Sequence, residues 1–159
     1  MTKILSIAQA ATSVQRIKNQ GKTVILVGGC FDILHVGHVK FLKAAKQKGG
    51  HLFVLLESDE TVQKIKGKNR PFFTQRERAE MLSELQSIDF VILLPPLGTD
   101  EEYHTLISSL RPDIIAVTPN DPHLEKKRLH AHRVGAKIVF IPHINPFSTT
   151  RVINHLGIE

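Results

Sequence analysis

The chain has few of the residues that would cross-link it through disulfides or hold it in a membrane. It contains one cysteine and no tryptophan among 159 residues, so no disulfide can form within it and a reducing compartment is expected. No apolar stretch approaches the roughly 20 residues that a membrane-spanning helix needs. The residues after Met1 also lack the apolar core of a signal peptide. These absences favour a cytoplasmic protein that does not enter a membrane.

The charged residues favour an anionic partner. Lysine and arginine together number 21 against 15 acidic residues, which gives a formal net charge of +6. The basic residues are spread along the chain rather than packed into one long run, and this argues against a nucleic-acid partner. A nucleotide or a sugar phosphate would suit the same charge. The length predicts one domain over residues 1–159, with residues 1–22 forming an N-terminal helix and its lead-in.

Short apolar runs alternate with helical patterns along the whole chain. The strands are predicted at residues 23–28, 52–57, 90–94, 114–117 and 137–141, and the helices at 7–19, 37–47, 75–86, 101–110, 124–134 and 149–155. The strand runs are rich in Val, Ile, Leu and Phe without clean alternation, as expected when helices cover both faces of a sheet. The pattern predicts an α/β fold with a Rossmann-like, doubly wound, five-stranded parallel sheet. Its ligand should bind beyond the carboxyl ends of the strands.

Three breaks follow the predicted strands or the helical turn beyond them. They are the basic segment 64–73, which is expected to be a mobile loop, and the proline-containing segments 95–98 and 142–147. His130 and His132 lie on a helix that is expected to be exposed, and no function is assigned to them.

The most informative segment runs from Gly28 to His38, Gly-Gly-Cys-Phe-Asp-Ile-Leu-His-Val-Gly-His. It joins a predicted buried strand to a predicted helix, and the start of a helix offers unpaired N–H groups and a positive dipole end. Gly37 lets a ligand approach the backbone, and His35 and His38 can donate hydrogen bonds to it. The segment therefore predicts a polyphosphate site. Metal ligation is a weaker alternative, because no further ligands follow at zinc-like spacing.

This segment resembles the His-x-Gly-His signature of the cytidylyltransferase-like nucleotidyltransferases. The resemblance implies transfer of a nucleotidyl group from a nucleoside triphosphate to a phosphate acceptor, with release of pyrophosphate. It implies that His35 and His38 hold the triphosphate, and that Lys66 of the Lys-Gly-Lys-Asn-Arg-Pro element neutralises the transferring phosphate. Lys68 and Arg70 are weaker carry-overs, since a solvated basic loop would have the same composition.

Further nucleotide-binding residues are implied by the same resemblance. Arg78 matches a phosphate-contacting arginine of the family, although a surface-helix role is as well supported by the residues alone. Ser148, Thr149 and Thr150 match a hydroxyl-rich helix start that binds phosphate, and such residues are also good helix N-caps. Gly29, Cys30, Phe31 and Asp121 complete the predicted set, with Cys30 also expected to pack as a small side chain.

One carboxylate and one metal ion need separate comment. Asp32 lies inside the signature, and a structural role is favoured because a carboxylate beside phosphates would repel them. Magnesium is expected as the cofactor, carried by the phosphates of ATP or CTP rather than by protein side chains. The family resemblance also implies a homodimer.

Within the family, the chain is most similar to the heptose 1-phosphate adenylyltransferase domain. The shared features are Gly-Lys-x-Val before the first predicted strand, Lys-Gly-x-x-Arg-Pro and Leu-Arg-Pro-Asp. This similarity implies transfer of AMP from ATP to a sugar phosphate. The chain departs from that domain at residues 27–29, 56–59 and 117–122, which should line the base or acceptor pocket. Two alternatives stay open: a CTP-dependent enzyme acting on a polyol phosphate, and a non-catalytic nucleotide-binding or nucleic-acid-binding protein.

Overall fold

The computed structural model describes residues 2–142 and 148–157. Its strands are β1 (Ile4–Leu5), β2 (Val24–Gly29), β3 (His51–Leu56), β4 (Phe90–Leu93), β5 (Ile114–Val117) and β6 (Lys137–Phe140). Its helices are α1 (Ile7–Asn19), α2 (Val36–Lys46), α3 (Asp59–Lys66), α4 (Gln75–Ser83), α5 (Asp100–Leu110), α6 (Leu124–Val134) and α7 (Thr149–Leu156). None of the helices within these residues is long and apolar enough to cross a membrane.

The strands form one parallel sheet in the order β1-β4-β3-β2-β5-β6. From β2 the chain builds outward to β3 and β4 on one side, and then returns to place β5 and β6 on the other side. The order therefore reverses between β2 and β5. In such sheets the two neighbouring loops diverge to opposite faces and leave a crevice at the carboxyl ends of these strands.

Helices cover both faces of the sheet. Alternate residues of β2 belong to two separate cores, with Val24 and Leu26 in one and Ile25 and Val27 in the other. Helices α1, α5 and α6 pack on the first face, and α2 and α4 pack on the second. Burial on both faces explains the near-continuous apolar runs of the strands. The doubly wound α/β fold predicted from the sequence is confirmed.

The sheet has six strands within the described residues, so the predicted number of five is wrong. The additional strand, β1, has only two residues, and it pairs with Val91 and Ile92 of β4 at the edge of the sheet. Two residues are too few for any periodic pattern to be recognised. The strand lies in the segment that was expected to be a lead-in to α1.

Part of the predicted loop at 64–73 is helical. Helix α3 extends to Lys66, and the Ser58 hydroxyl accepts a hydrogen bond from the Thr61 amide at its start. Asp59 and Glu60 in the first turn and Lys64 in the last turn suit the helix dipole. These signals were present in the sequence, but the helix is only eight residues long. Of the third predicted break, residues 143–147 lie outside the described residues.

Two smaller expectations also change. Helix α4 begins with the Thr74–Glu77 capping box read from the sequence, but it ends at Ser83, three residues before the predicted end. His130 was expected on an exposed helix and is instead buried, with its ring stacked on His104 at a centroid distance of 5.8 Å. It fills the contact between α5 and α6 rather than facing solvent.

Candidate active site

A cleft of about 320 Å³ lies at the carboxyl ends of β2 and β5, where the strand order reverses. Nine of the predicted site residues line it: Gly29, Cys30, Phe31, His35, His38, Lys66, Asp121, Ser148 and Thr149. Lys68, Arg78 and Thr150 are not among its lining residues. The cleft thus joins the start of α2, the end of α3, the end of β5 and the start of α7.

The two histidines stack at the start of α2. His35 is the N-cap of this helix, and its Nδ1 accepts a hydrogen bond from the Gly37 amide at 3.1 Å. A neutral ring that accepts at Nδ1 carries its proton on Nε2. The rings of His35 and His38 lie 3.8 Å apart between centroids, with 25° between their planes. The pair therefore presents one rigid surface to the cleft.

His38 is held in the neutral form. Burial, together with smaller electrostatic effects of His35 and Lys66 in the same direction, lowers the pKa of His38 to about 4. Its Nδ1 is buried and has no hydrogen-bond partner among the described residues. A buried polar atom without a partner is costly, so this atom is a candidate for contact with a ligand.

Phe31 packs its ring against the histidine pair through His38. Its ring lies 5.2 Å from that of His38, and its backbone is left-handed, with φ of 44°. A Cβ atom added at Gly29 would lie 2.9 Å from Cε2 of Phe31, which is too close for a real contact. Gly29 is therefore required here because any side chain would displace the Phe31 ring. Both residues shape the cleft wall.

Lys66 and Cys30 share the wall between β2 and α3. Lys66 is the last residue of α3, and its side chain reaches the cleft. Burial raises the pKa of the Cys30 thiol, against the lowering effect of the Lys66 charge. The thiol is thus protonated at neutral pH and serves as a small wall residue. Lys68 is exposed and lies outside the cleft lining.

The start of α7 closes the opposite side of the cleft. The Ser148 hydroxyl accepts a hydrogen bond from the Arg151 amide and so caps the helix. Thr149 is buried, and its hydroxyl donates to the carbonyl oxygen of Ile33 at 3.3 Å. This contact ties α7 to the signature loop across 116 residues of sequence. The histidine pair and the hydroxyl-rich turn therefore border one cleft, while Thr150 is exposed beside it.

The β5 wall contains a lysine that the sequence did not single out. Lys127 of α6 lines the cleft and forms an ion pair with Asp121, with Nζ and Oδ2 2.6 Å apart. The other oxygen of Asp121 accepts the His123 amide at 2.8 Å. Lys127 follows Lys126 and precedes Arg128, so the composition of α6 could not indicate which cation turns inward.

Glu57, at one of the departures from the heptose 1-phosphate adenylyltransferase pattern, lies just behind this wall. The Tyr103 hydroxyl is 3.0 Å from both of its carboxylate oxygens. Burial raises the pKa of Glu57, while the hydrogen bond from Tyr103 and the charges of Lys127 and Arg78 oppose that rise. Tyr103 and Lys127 thus compensate the Glu57 carboxylate.

Arg78 does not contact the cleft, and the expectation that it binds phosphate is wrong. Its side chain is fully buried, and the guanidinium donates to the carbonyl oxygens of Phe73, Cys30 and Glu57 at 3.0, 2.6 and 3.0 Å. It also pairs with Asp59 at 2.7 Å. Because these acceptors occupy four of its five N–H donors and the side chain is fully buried, Arg78 builds the cleft wall instead of binding a ligand.

Comparison with known proteins identifies the sequence family. The cytidylyltransferase-like family model matches residues 26–155. The bifunctional protein HldE of Desulfatibacillum aliphaticivorans is 32% identical over 158 residues, which is 97% of this chain and 31% of that protein. HldE of Sulfurimonas denitrificans is 38% identical over 143 residues, covering 90% of this chain and 28% of that protein. The chain thus spans about a third of the length of these curated relatives.

Solved structures share the fold. The lipopolysaccharide core biosynthesis protein of Thermoplasma volcanium aligns with a TM-score of 0.63 and 25% identity, over 80% of this chain and 100% of that one. Pantoate-beta-alanine ligase from Francisella tularensis aligns with a TM-score of 0.66 over 97% of this chain and 73% of that one. The second is 14% identical and is similar in fold alone.

Replacing Arg78 tests its role in building the wall. We expect Arg78→Gln to lower the free energy of unfolding by about 3 kcal/mol, because buried carbonyl groups lose their donor and Asp59 loses its partner. Urea denaturation measures the change. Arg76→Gln alters an exposed arginine of the same helix and should change stability by less than about 0.5 kcal/mol. Equal losses in the two variants would contradict a structural role that is particular to Arg78.

The lowered pKa of His38 predicts a pH-dependent stability. Unfolding releases the ring to its ordinary pKa of 6.5, so the unfolded state binds a proton between pH 6.5 and 4 that the folded state does not. The contribution of His38 is therefore full above pH 6.5 and is lost as the pH falls toward 4. It amounts to about 3 kcal/mol. Urea unfolding at several pH values should show a smaller acid loss in His38→Asn than in the wild type, and parallel curves would refute the assignment.

Proposed function

The chain belongs to the cytidylyltransferase-like family of nucleotidyltransferases, and from that premise we propose that it transfers AMP from ATP to a phosphorylated sugar. Pyrophosphate is the second product. The observation that carries the proposal is the meeting of His35, His38, Lys66 and the start of α7 in one cleft. Two helix N-termini and a lysine around one cavity form a site for a polyphosphate.

The reaction needs alignment and charge stabilisation rather than a general base. An acceptor phosphate is already ionised near neutral pH, so its oxygen can attack the α-phosphorus directly, and the bond to the pyrophosphate oxygen breaks. His35 and His38 donate hydrogen bonds to oxygens of the transferring group, and Lys66 neutralises the charge that develops there. Ser148 and Thr149 hold the departing pyrophosphate through the start of α7.

The neutral state of His38 is part of this proposal. A neutral imidazole donates one hydrogen bond through its N–H group, but it carries no positive charge before the nucleotide binds. Binding of a triphosphate brings negative charge beside the ring and raises its pKa from the value of about 4 in the free protein. The ring can then share the added negative charge of the transition state.

Magnesium enters this scheme as part of the nucleotide substrate. Within residues 2–142 and 148–157 no three His, Cys, Asp or Glu side chains are grouped to hold a metal ion. Magnesium commonly keeps several waters and binds through substrate phosphates with one or two carboxylates. The residues present fit a metal ion that arrives on the phosphates, and this chain's own groups act on the phosphate oxygens.

The finer assignments rest on the relatives. The curated relatives are bifunctional HldE proteins, and this chain matches about a third of their length, so the adenine and sugar parts of the proposed substrate are carried over by similarity. A free thiol at Cys30 and a nucleoside triphosphate donor suit a cytoplasmic enzyme. The homodimer implied by the family stays a prediction.

The second candidate is a CTP-dependent enzyme acting on a polyol phosphate, because the 117–122 segment, which should line the base or acceptor pocket, departs from the pattern of the heptose 1-phosphate adenylyltransferase domain. Asp121 is held by Lys127 and the His123 amide, so this wall differs in charge from a loop with a free carboxylate. Donor and acceptor specificity must therefore be tested together.

Pyrophosphate release with paired donors and acceptors separates these candidates. We expect turnover with MgATP and a sugar 1-phosphate, and at least about 10-fold less with MgCTP or with glycerol 3-phosphate. A preference for CTP with glycerol 3-phosphate would establish the alternative. Nanomolar oligonucleotide binding with no pyrophosphate release from any pair would indicate the non-catalytic protein instead.

A histidine variant tests the proposed chemistry. His38→Ala should keep the fold and lower kcat by about 10²-fold or more, as expected for loss of a preorganised donor. His132→Ala removes an exposed histidine of α6 and serves as the matched control. Circular dichroism checks folding in both variants. Wild-type turnover in His38→Ala would exclude this ring from the reaction.

A further inference from the structure

Asp32 is a buried carboxylate in the wall of a cleft that is built for anions. It lines the cleft, and its side chain has no exposed surface. An unpaired negative charge there would repel phosphate strongly, because the surroundings screen it poorly. Its Oδ2 accepts a hydrogen bond from Nε of Arg70, and its Oδ1 accepts the Phe72 amide at 2.6 Å. The carboxylate is thus neutralised by one short segment that follows α3.

That segment is tightly joined to Lys66. The Arg70 amide donates to the carbonyl oxygen of Gly67 at 3.1 Å and closes a four-residue turn. Gly67 is left-handed, with φ of 109°, and its amide donates to Gln63 within α3. The Gln63 side chain in turn donates to the carbonyl oxygen of Lys68. A restraint on Arg70 is therefore passed to Lys66 through a short, hydrogen-bonded turn.

The two ends of α3 are held by two different ion pairs. Asp59 at its start pairs with the buried Arg78. The turn beyond its last residue is held by the pairing of Arg70 with Asp32. The side chain of Arg70 is only 14% exposed, so this pair is shielded from water and from salt. Lys66 lies between a fixed helix and a fixed turn.

We propose, resting on the function proposed above, that Asp32 and Arg70 are positioning residues whose ion pair holds Lys66 at the triphosphate site. Asp32 does this without adding net negative charge to the cleft, because Arg70 compensates it. The planar guanidinium fixes direction as well as charge, which a lysine at this position would not do. Arg70 thus acts on the reaction through Lys66.

A double-mutant cycle between Arg70 and Lys66 tests this coupling. The variants are Lys66→Ala, Arg70→Gln and the double variant, and the probe is α,β-methylene-ATP with Mg²⁺ in a calorimetric titration. We expect each single variant to weaken binding by about 10-fold, and the double variant to bind within about 2-fold of Lys66→Ala. In turnover, kcat should fall by about 10- to 100-fold in Arg70→Gln, because misplacement of a positioned group is costly.

Asp89→Asn is the matched control for Asp32→Asn. Asp89 also accepts hydrogen bonds from a cation and from a backbone amide, namely from Lys46 Nζ at 2.5 Å and from the Leu52 amide at 2.7 Å. It lies at the opposite end of the strands from the cleft. Both variants should lower the melting temperature, and only Asp32→Asn should weaken nucleotide binding. If Arg70→Gln does not fold, Arg70→Lys replaces it. We then expect the double variant of Arg70→Lys and Lys66→Ala to bind the analogue within about 2-fold of Lys66→Ala alone.

The outcomes separate this inference from the proposed function. The positioning role alone would be overturned if the loss of affinity in the double variant equalled the product of the two single losses. It would also be overturned if Asp32→Asn and Asp89→Asn bound the nucleotide with equal affinity. No binding of the analogue by the wild type would overturn the proposed function, and this inference with it.

Discussion

The cleft depends on the buried guanidinium of Arg78. One side chain joins the end of β2 through Cys30, the end of β3 through Glu57, and the segment before α4 through Phe73. Its charge is balanced by Asp59 at the start of α3. Parallel strands leave their last carbonyl groups without ladder partners at this edge, and Arg78 satisfies two of them at once. The loops that carry the site are thereby fixed before any ligand binds.

The site combines a positive electrostatic potential with hydrogen-bond donors that are mostly uncharged. Two helix N-termini and Lys66 border the cleft beside the stacked, partly buried imidazoles, and burial holds the pKa of His38 low. Each carboxylate of the wall is compensated, Asp32 by Arg70 and Asp121 by Lys127. A polyphosphate therefore meets donors that need little rearrangement, which is the condition for electrostatic catalysis.

Much of this arrangement could be predicted from the sequence. Apolar runs without alternation indicated buried parallel strands, and the signature histidines line one cleft with Ser148 and Thr149, as expected, although Thr150 lies outside it. The errors have physical causes. Strand β1 is too short to show a period. Arg78 was misjudged and Lys127 was missed, because a single sequence does not show whether a lysine or arginine of a helix faces solvent or the protein interior. The Asp32–Arg70 pair depends on a turn whose path the residues do not reveal.

The central claim is that one triphosphate spans the cleft from the start of α2 to the start of α7. A ¹⁵N-labelled sample titrated with α,β-methylene-ATP and Mg²⁺ tests it most directly by following the backbone amides. The account predicts that the amide signals of Gly37, His38, Ser148 and Thr149 all shift, and that the four shifts follow one binding curve with the same Kd. Shifts confined to one of these two helix starts, or two separate binding curves, would contradict it.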